Sequence, residues 1–329
     1  MLTGKKILVT GAGGFIGSHL VEALLEKGAD VRAFVKYNGR GDLGVLSDLS
    51  AEKLQAIEVV MGNICDPFFV RNVVKGCDYV FHLAALIGIP YSYVAPADYV
   101  MTNIQGTLNV LEACRSEGTE RMVHTSTSEA YGTAQYVPIN EKHPMQGQSP
   151  YSASKIGADR MAESYFKSFE LPVTIVRPFN TFGPRQSARA FIPTVITQAL
   201  TKDHIVMGSL DPVRDMTFVK DTAEGFIQVG LSENTIGQEI NLGVGEGETI
   251  GNIAKMILKI AGKQDAVIKQ DPNRIRPSKS EVMRLISDNS KALQLTGWKP
   301  RYNLEQGLQE TYEWIKKNIE MYNPDNYAV

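Results

Sequence analysis

Tyr151 and Lys155 stand four residues apart in the stretch Tyr151-Ser152-Ala153-Ser154-Lys155. On a helix that spacing brings both to one face, one turn apart. An ammonium near a phenol stabilises phenolate and draws its pKa from about 10 toward neutrality. A tyrosine so placed can take a proton from a substrate hydroxyl while hydride leaves the same carbon. Such a pair is also commonplace on helix surfaces; Pro150 before it and a glycine turn upstream weigh for catalysis. The second group is Glu129, in Thr125-Ser126-Thr127-Ser128-Glu129-Ala130-Tyr131-Gly132. This stretch follows an apolar run, Arg121 to Thr125, and ligands of parallel sheets bind at the carboxyl ends of strands. A plain oxidoreductase needs no carboxylate there, whereas removal of a carbon-bound proton does. The competing role for Glu129 is a local cap or ion pair.

A third feature is Gly11-Ala12-Gly13-Gly14-Phe15-Ile16-Gly17, between the apolar run Lys5 to Thr10 and the helical pattern Phe15 to Glu26. Glycines at 11, 14 and 17 allow positive backbone angles and let a pyrophosphate approach the N–H groups of a helix N-terminus. In a dinucleotide site of this kind, an acid at the end of the second strand holds the adenosine ribose. Here that end reads Val35-Lys36-Tyr37-Asn38-Gly39-Arg40, with no acid. Lys36 and Arg40 suit a 2′-phosphate, which favours NADP over NAD. Asn63 and Ile64, after the third strand, offer a resting place for the adenine edge.

The elements that must position these groups alternate. Strands are expected at Lys5–Thr10, Asp30–Val35, Ile57–Met61, Asp78–Leu83, Arg121–Thr125 and Pro172–Arg177, with helices at Phe15–Glu26, Tyr99–Ser116 and Ser152–Phe169. That order predicts an α/β chain with a doubly wound parallel sheet. After Pro178 the pattern loosens: Thr181–Pro193 reads as loop, and Asp271–Lys279 is rich in Pro, Arg and Ser. We expect a dinucleotide-binding domain of residues 1–178 plus about 216–245, to which Glu239–Leu242 adds a strand. Residues about 179–215 plus 246–329 would form a smaller substrate-binding lobe, closed by an amphipathic helix at Leu304–Ile319.

Composition narrows the class. The 329 residues are 43% apolar and 21% charged, ordinary for a globular protein, and the formal net charge of −2 favours neither nucleic acid nor an anionic membrane. No apolar run approaches the roughly 18–20 residues needed to span a bilayer, and the start does not read as a signal peptide. Cys65, Cys77 and Cys114 are widely spaced and odd in number, which points to a reducing cytoplasm. The five histidines lack metal-ligand spacing, so no metal site is expected.

Taken together, GAGGFIG (11–17), HLAA (82–85), Asn103-x-x-Gly106-Thr107, TSTSEAYG (125–132), YSASK (151–155) and RPFNTFGPR (177–185) resemble the extended short-chain dehydrogenases/reductases over nearly the whole chain. The resemblance implies a Rossmann-type sheet with a smaller C-terminal substrate-binding lobe. Within that family the chain looks most like nucleotide-sugar 4,6-dehydratases, which carry Thr-[Asp/Ser]-Glu where this chain has Thr127-Ser128-Glu129. QGQSPYSASK (146–155) and NTFGPRQSAR (180–189) resemble the bacterial branch acting on UDP- or GDP-linked N-acetylglucosamine in legionaminic-acid-type pathways, with UDP favoured.

What the resemblance implies is a cycle with no net redox change. Tyr151 accepts the C4 hydroxyl proton as hydride passes to a tightly bound cofactor. The 4-keto group acidifies C5, Glu129 removes that proton, water leaves from C6, and hydride returns there. The product is a 4-keto-6-deoxy sugar nucleotide. Thr127 would bond the C4 oxygen, and Lys155 the nicotinamide ribose. Many relatives have Asp at the position of Ser128, where it protonates the leaving hydroxyl; here Glu129 would do both jobs and Ser128 would orient the C6 hydroxyl. Phe15, Ile16, Leu83, Ala84, Ala85 and Asn103 are expected beside the cofactor. Asn180, Arg185, Arg214 and Arg276 are expected to hold the substrate, the arginines through its pyrophosphate. A homodimer through the Tyr99–Ser116 and Ser152–Phe169 helices is implied as well. The rivals are a nucleotide-linked uronic acid decarboxylase, which releases carbon dioxide, a 4-epimerase, in which Glu129 would be idle, and a non-catalytic dinucleotide-binding regulator, which would not need Tyr151, Lys155 and Glu129.

Overall fold

The computed structural model describes residues 2–272 and 282–322. Seven strands form one sheet: β1 (Lys6–Thr10), β2 (Asp30–Lys36), β3 (Ile57–Gly62), β4 (Tyr79–His82), β5 (Arg121–Thr125), β6 (Val173–Pro178) and β7 (Glu239–Leu242). Their spatial order is β7-β6-β5-β4-β1-β2-β3, and every pairing is parallel. Ile7, Leu8 and Val9 of β1 are all sealed from solvent, as a central strand covered on both faces requires. Ile7 and Val9 face a core with Leu20, Val21 and Leu24 of α1 (Phe15–Glu26). Leu8 faces the opposite core, with Val70, Val73 and Val74 of α2 (Pro67–Val74), Val110 and Leu111 of α3 (Gly106–Glu117) and Ala162 of α4 (Pro150–Phe169). The chain reverses its direction of winding between β1 and β4, which opens a crevice at their carboxyl ends.

The expected helix at Tyr99–Ser116 is not uniform. Pro96–Tyr99 is α-helical, Val100–Gln105 widens into a π-helical stretch, and α3 follows. Such bulges rotate the side chains after them and recur at functional sites. The expected loop at Thr181–Pro193 is also partly regular. Asn180–Phe182 pairs in parallel with Met216–Phe218, and a helix begins at Phe191. Three-residue strands carry too little alternation to be read from sequence.

Past β6, a separate core gathers Phe182, Val195, Ile196, Phe218, Ile253, Ile257, Leu308 and Ile315. The closing helix spans Leu304–Lys317, capped by Asn303 with Gln306 reaching back to the Asn303 N–H. Val213–Arg214 pairs with Glu248–Thr249 and Arg284–Leu285. The fully buried Asp215 carboxylate joins this ribbon to the end of β7: it accepts the N–H groups of Val244 at 2.8 Å, Gly245 at 2.9 Å and Ser287 at 3.1 Å. Asp215→Ala leaves three amides without an acceptor. It should cost about 2–5 kcal/mol, read as a lower urea midpoint at unchanged slope.

Candidate active site

Ser149 caps α4 and Pro150 occupies its first turn, with Ser152 returning a hydrogen bond in a capping box. The buried face of α4 then presents Tyr151, Lys155 and Asp159, each four residues on. Against this face run the end of β5 and the 3-10 turn Ser128–Tyr131, capped by Thr127 through the Glu129 N–H. The Lys155 ammonium donates to the Thr125 carbonyl at 2.6 Å. The Thr127 hydroxyl hydrogen bonds Tyr151, and the charge of Glu129 acts on the same phenol. Thr127 and Ser128 are buried; Glu129 is half-buried. The motif therefore does converge, with all five expected catalytic residues at one corner of the sheet.

One electrostatic expectation fails. Burial raises Tyr151 above its ordinary value, opposed chiefly by the Thr127 hydrogen bond. Burial also lowers Lys155, to about 8, with Asp159 working against that loss. The reason lies in geometry, since Lys155 turns its ammonium to the Thr125 carbonyl and desolvation dominates both groups.

The glycine turn fits a dinucleotide. Gly14 caps α1 in an extended conformation and offers no side chain to its first-turn N–H groups. Gly11 takes φ +70, and a Cβ there would meet the Ala84 nitrogen at 2.8 Å; a Cβ on Gly17 would meet the Gly11 carbonyl oxygen at 2.2 Å. Phe15 and Ile16 open α1. Thr10 fastens the neighbouring loop, its hydroxyl oxygen accepting the Leu83 and Ala84 N–H groups at 3.1 Å each, and Ala85 follows them. Lys36, exposed at the end of β2, is followed by the exposed Arg40 in a turn that Asn38 shapes by accepting the Arg40 and Asp42 N–H groups. Asn63 is exposed after β3 and accepts the Cys65 N–H, with Ile64 buried beside it.

Asn103, expected beside the cofactor, braces the loop after β4. Fully buried in the π-helical stretch, it grips the Leu86 backbone with both ends of its amide, at 2.8 and 3.0 Å, and donates to Ser154 at 2.9 Å. Its amide thus holds the loop after β4 against α4.

A cavity of about 330 Å³ opens beside Glu129. Asn180, Gln186, Arg189, Met207 and Arg214 are among the residues lining it. The Asn180 Oδ1 and Gln186 Oε1 atoms are buried and have no hydrogen-bond partner among the described residues, as groups suited to a polar ligand would. Asn180 and Arg214, two of the residues expected to hold substrate, line this cavity. Arg185 does not: it pairs with Glu22 and donates to His19 Nδ1 at 3.1 Å. Burial and the Arg185 charge lower His19 to about 3, so its neutral ring accepts at Nδ1 and donates from Nε2 to the Pro184 carbonyl. Arg276 lies outside the described residues. Sequence reasoning passed over Gln186 and Arg189, although both lie inside the NTFGPRQSAR stretch, and over Asp159, whose signal was its place one turn beyond Lys155.

No described helix is long and apolar enough to cross a membrane, and the described residues contain no cluster of three His, Cys, Asp or Glu suited to a metal. Among the described residues the cysteines are free.

The corner unites a dinucleotide cradle, a phenol–ammonium pair and a carboxylate opening on a polar cavity. That set can oxidise a carbinol and then remove an adjacent carbon-bound proton. Comparison with known proteins agrees. The family model described as GDP-mannose 4,6 dehydratase matches residues 8–311. A dTDP-glucose 4,6-dehydratase from Actinoplanes sp. is 32% identical over 95% of this chain and 98% of its own. The structure of DesIV, a dTDP-glucose 4,6-dehydratase from Streptomyces venezuelae with NAD and TYD bound, superposes with a TM-score of 0.88 at 28% identity, covering 97% of this chain and 99% of that one. A UDP-glucuronic acid 4-epimerase from Bacillus cereus, in complex with UDP-glucuronic acid and NAD, superposes at 0.84 with 30% identity, covering 95% and 99%. The chain belongs to the GDP-mannose 4,6-dehydratase family, an extended short-chain dehydrogenase/reductase group of enzymes acting on nucleotide-linked sugars.

Proposed function

We propose that this enzyme is a nucleotide-sugar 4,6-dehydratase that converts UDP-N-acetylglucosamine to its 4-keto-6-deoxy derivative. The observation that carries the reading is Glu129, a half-buried carboxylate on the cavity wall whose charge acts on Tyr151. When bound, a nicotinamide dinucleotide supplies a hydride acceptor for C4 and the hydride that C6 receives. Tyr151 takes the C4 hydroxyl proton, with Thr127 on the same oxygen. Glu129 takes the C5 proton once C4 is a ketone. It then donates to the departing C6 hydroxyl, because Ser128 is too weak an acid for that step. C5 regains a solvent-derived proton as C6 receives hydride, and Tyr151 returns the proton it took from the C4 hydroxyl to water, which balances the loss of one water. Asn180 and Arg214 hold the nucleotide end. The uridine preference draws on the resemblance of residues 146–155 and 180–189; a GDP sugar is the competing substrate, suggested by the family's own description.

The cofactor reading has two supports that diverge. Lys36 and Arg40, with no acid at the end of β2, favour NADP; the NAD named with the solved relatives favours NAD. A homodimer is part of the same reading, and Val100 and Met101, both exposed in the π-helical stretch, contribute apolar surface for it. The free cysteines accord with a cytoplasmic enzyme.

Purified protein given UDP-N-acetylglucosamine in deuterated water, with no added cofactor, should yield a new C6 methyl proton signal and deuterium at C5. An unchanged spectrum with both the UDP and GDP sugars and with added NADP overturns the proposal, and carbon dioxide from a nucleotide-linked uronic acid would then identify a decarboxylase. Glu129→Gln should abolish C5 deuteration and lower methyl formation at least ~10²-fold, whereas Ser128→Ala should lower it no more than ~10-fold. Mass spectrometry of the dinucleotide released on denaturation should find NADP; NAD in its place removes the role given to Lys36 and Arg40.

A further inference from the structure

Asp159 has no part in the chemistry proposed above, yet it is fully buried and every contact it makes surrounds the seat of Lys155. It lies one turn beyond Lys155 on α4. One carboxylate oxygen accepts from His124 Nε2 at 3.1 Å; the other accepts from Ser126 Oγ at 2.6 Å and from Arg177 at 2.9 Å. His124 and Ser126 flank Thr125, whose carbonyl receives the Lys155 ammonium, and the next residue is Thr127, the partner of Tyr151. The carboxylate therefore fixes the strand end that carries Thr125 and Thr127 against the helix that carries Lys155 and Tyr151. Arg177 is anchored from its far side by Glu239 at 2.8 Å, so the Asp159 contacts are themselves held in place.

We infer that Asp159 is a positioning residue that fixes the seat and preserves the charge of Lys155. The inference rests on the dehydratase reading only in giving Lys155 a task. The titratable groups that act on Lys155 are Asp159 on α4, His82 on β4 and His124 on β5; Arg177 on β6 acts on His124, and Glu129 and Tyr99, the latter ending the helix Pro96–Tyr99, act on Tyr151 one turn away on α4. Burial holds His82 and His124 below their ordinary values, so both rings are neutral near neutral pH. Burial draws Lys155 down to about 8, and the Asp159 carboxylate opposes that loss. The same charge raises Tyr151, though less than burial does. Removing it therefore moves both titrations in the same direction, toward lower pH.

The test compares the holoenzyme, Asp159→Asn and Ser126→Ala by two readouts. The first is the pH profile of kcat with UDP-N-acetylglucosamine. The second is the titration of the Lys155 side chain by carbon NMR of protein labelled at the lysine ε-carbon, the resonance being assigned by its loss in Lys155→Arg. In Asp159→Asn the whole profile and the Lys155 titration should move to lower pH by about one unit while KM stays within twofold. Ser126→Ala keeps the charge and should lower kcat without displacing either curve. If Asp159→Asn does not fold, the paired variant Asp159→Asn with Arg177→Gln, which leaves no lone buried cation, should show the same displacement. A Lys155 titration unmoved in whichever of these variants folds overturns the inference. Should the unaltered enzyme turn over no nucleotide sugar, the dehydratase reading fails, and the lysine titration still decides the role of Asp159.

Discussion

An aspartate and an arginine, both sealed from water, form the contact on which the catalytic corner depends. Asp159 reaches from α4 and Arg177 from β6, and they meet at 2.9 Å. Burial would raise the Asp159 carboxyl, but Arg177 with the His124 and Ser126 hydrogen bonds holds it well below the usual carboxylate range. Arg177 continues to Glu239 on β7 and lies over the Tyr131 ring, whose hydroxyl donates to Asn241. One charge pair thus engages a helix, three strands and the turn carrying Glu129. Breaking such a pair from one side costs about 3–5 kcal/mol, because the other charge stays buried. An apolar contact would seal the same space, but it would not orient a strand end to within a hydrogen bond.

A second polar arrangement ties the cavity side to the dinucleotide side. Arg185 takes a left-handed φ of 67 and turns back to Glu22 and His19 on α1. The chain just before it carries Asn180 on the cavity wall, and the chain just after carries Gln186 and Arg189. The helix whose N-terminus suits a pyrophosphate is therefore bonded to the segment that suits a substrate. Asp215 has a comparable place beside Arg214, gripping three backbone amides next to a cavity side chain.

How far the sequence discloses this depends on period and range. The parallel sheet was legible because each strand is a short apolar run and the helices after them have an apolar face; α1 begins and ends at Phe15 and Glu26 as its spacing predicts. Tyr151, Lys155, Thr127 and Glu129 were legible because i,i+4 spacing and a strand end are local features. Arg185 was misread because its partners are 163 and 166 residues away, and no local pattern signals so distant a contact. The grip of the Asn103 amide on Leu86, across a loop, was illegible for the same cause. The π-helical stretch escaped notice because its six residues are too few for a change of period to show in the apolar pattern. The direction of the Tyr151 shift is a matter of burial, which spacing does not measure.

Fold alone does not choose among the reactions of this family. A dehydratase and a 4-epimerase superpose on the chain with TM-scores of 0.88 and 0.84, so the choice falls to single side chains. Beyond the hydride acceptor that a bound dinucleotide would supply, carbinol oxidation asks of the protein only a phenol and an ammonium. Elimination of water asks in addition for a group that takes a proton from carbon and returns it to oxygen. A carboxylate can do both if it reaches the substrate. Glu129 has its backbone fixed by Thr127, while its side chain is half-buried on the wall of the cavity. With serine in place of an acid at residue 128, the economy of one carboxylate performing two proton transfers follows from what the corner contains.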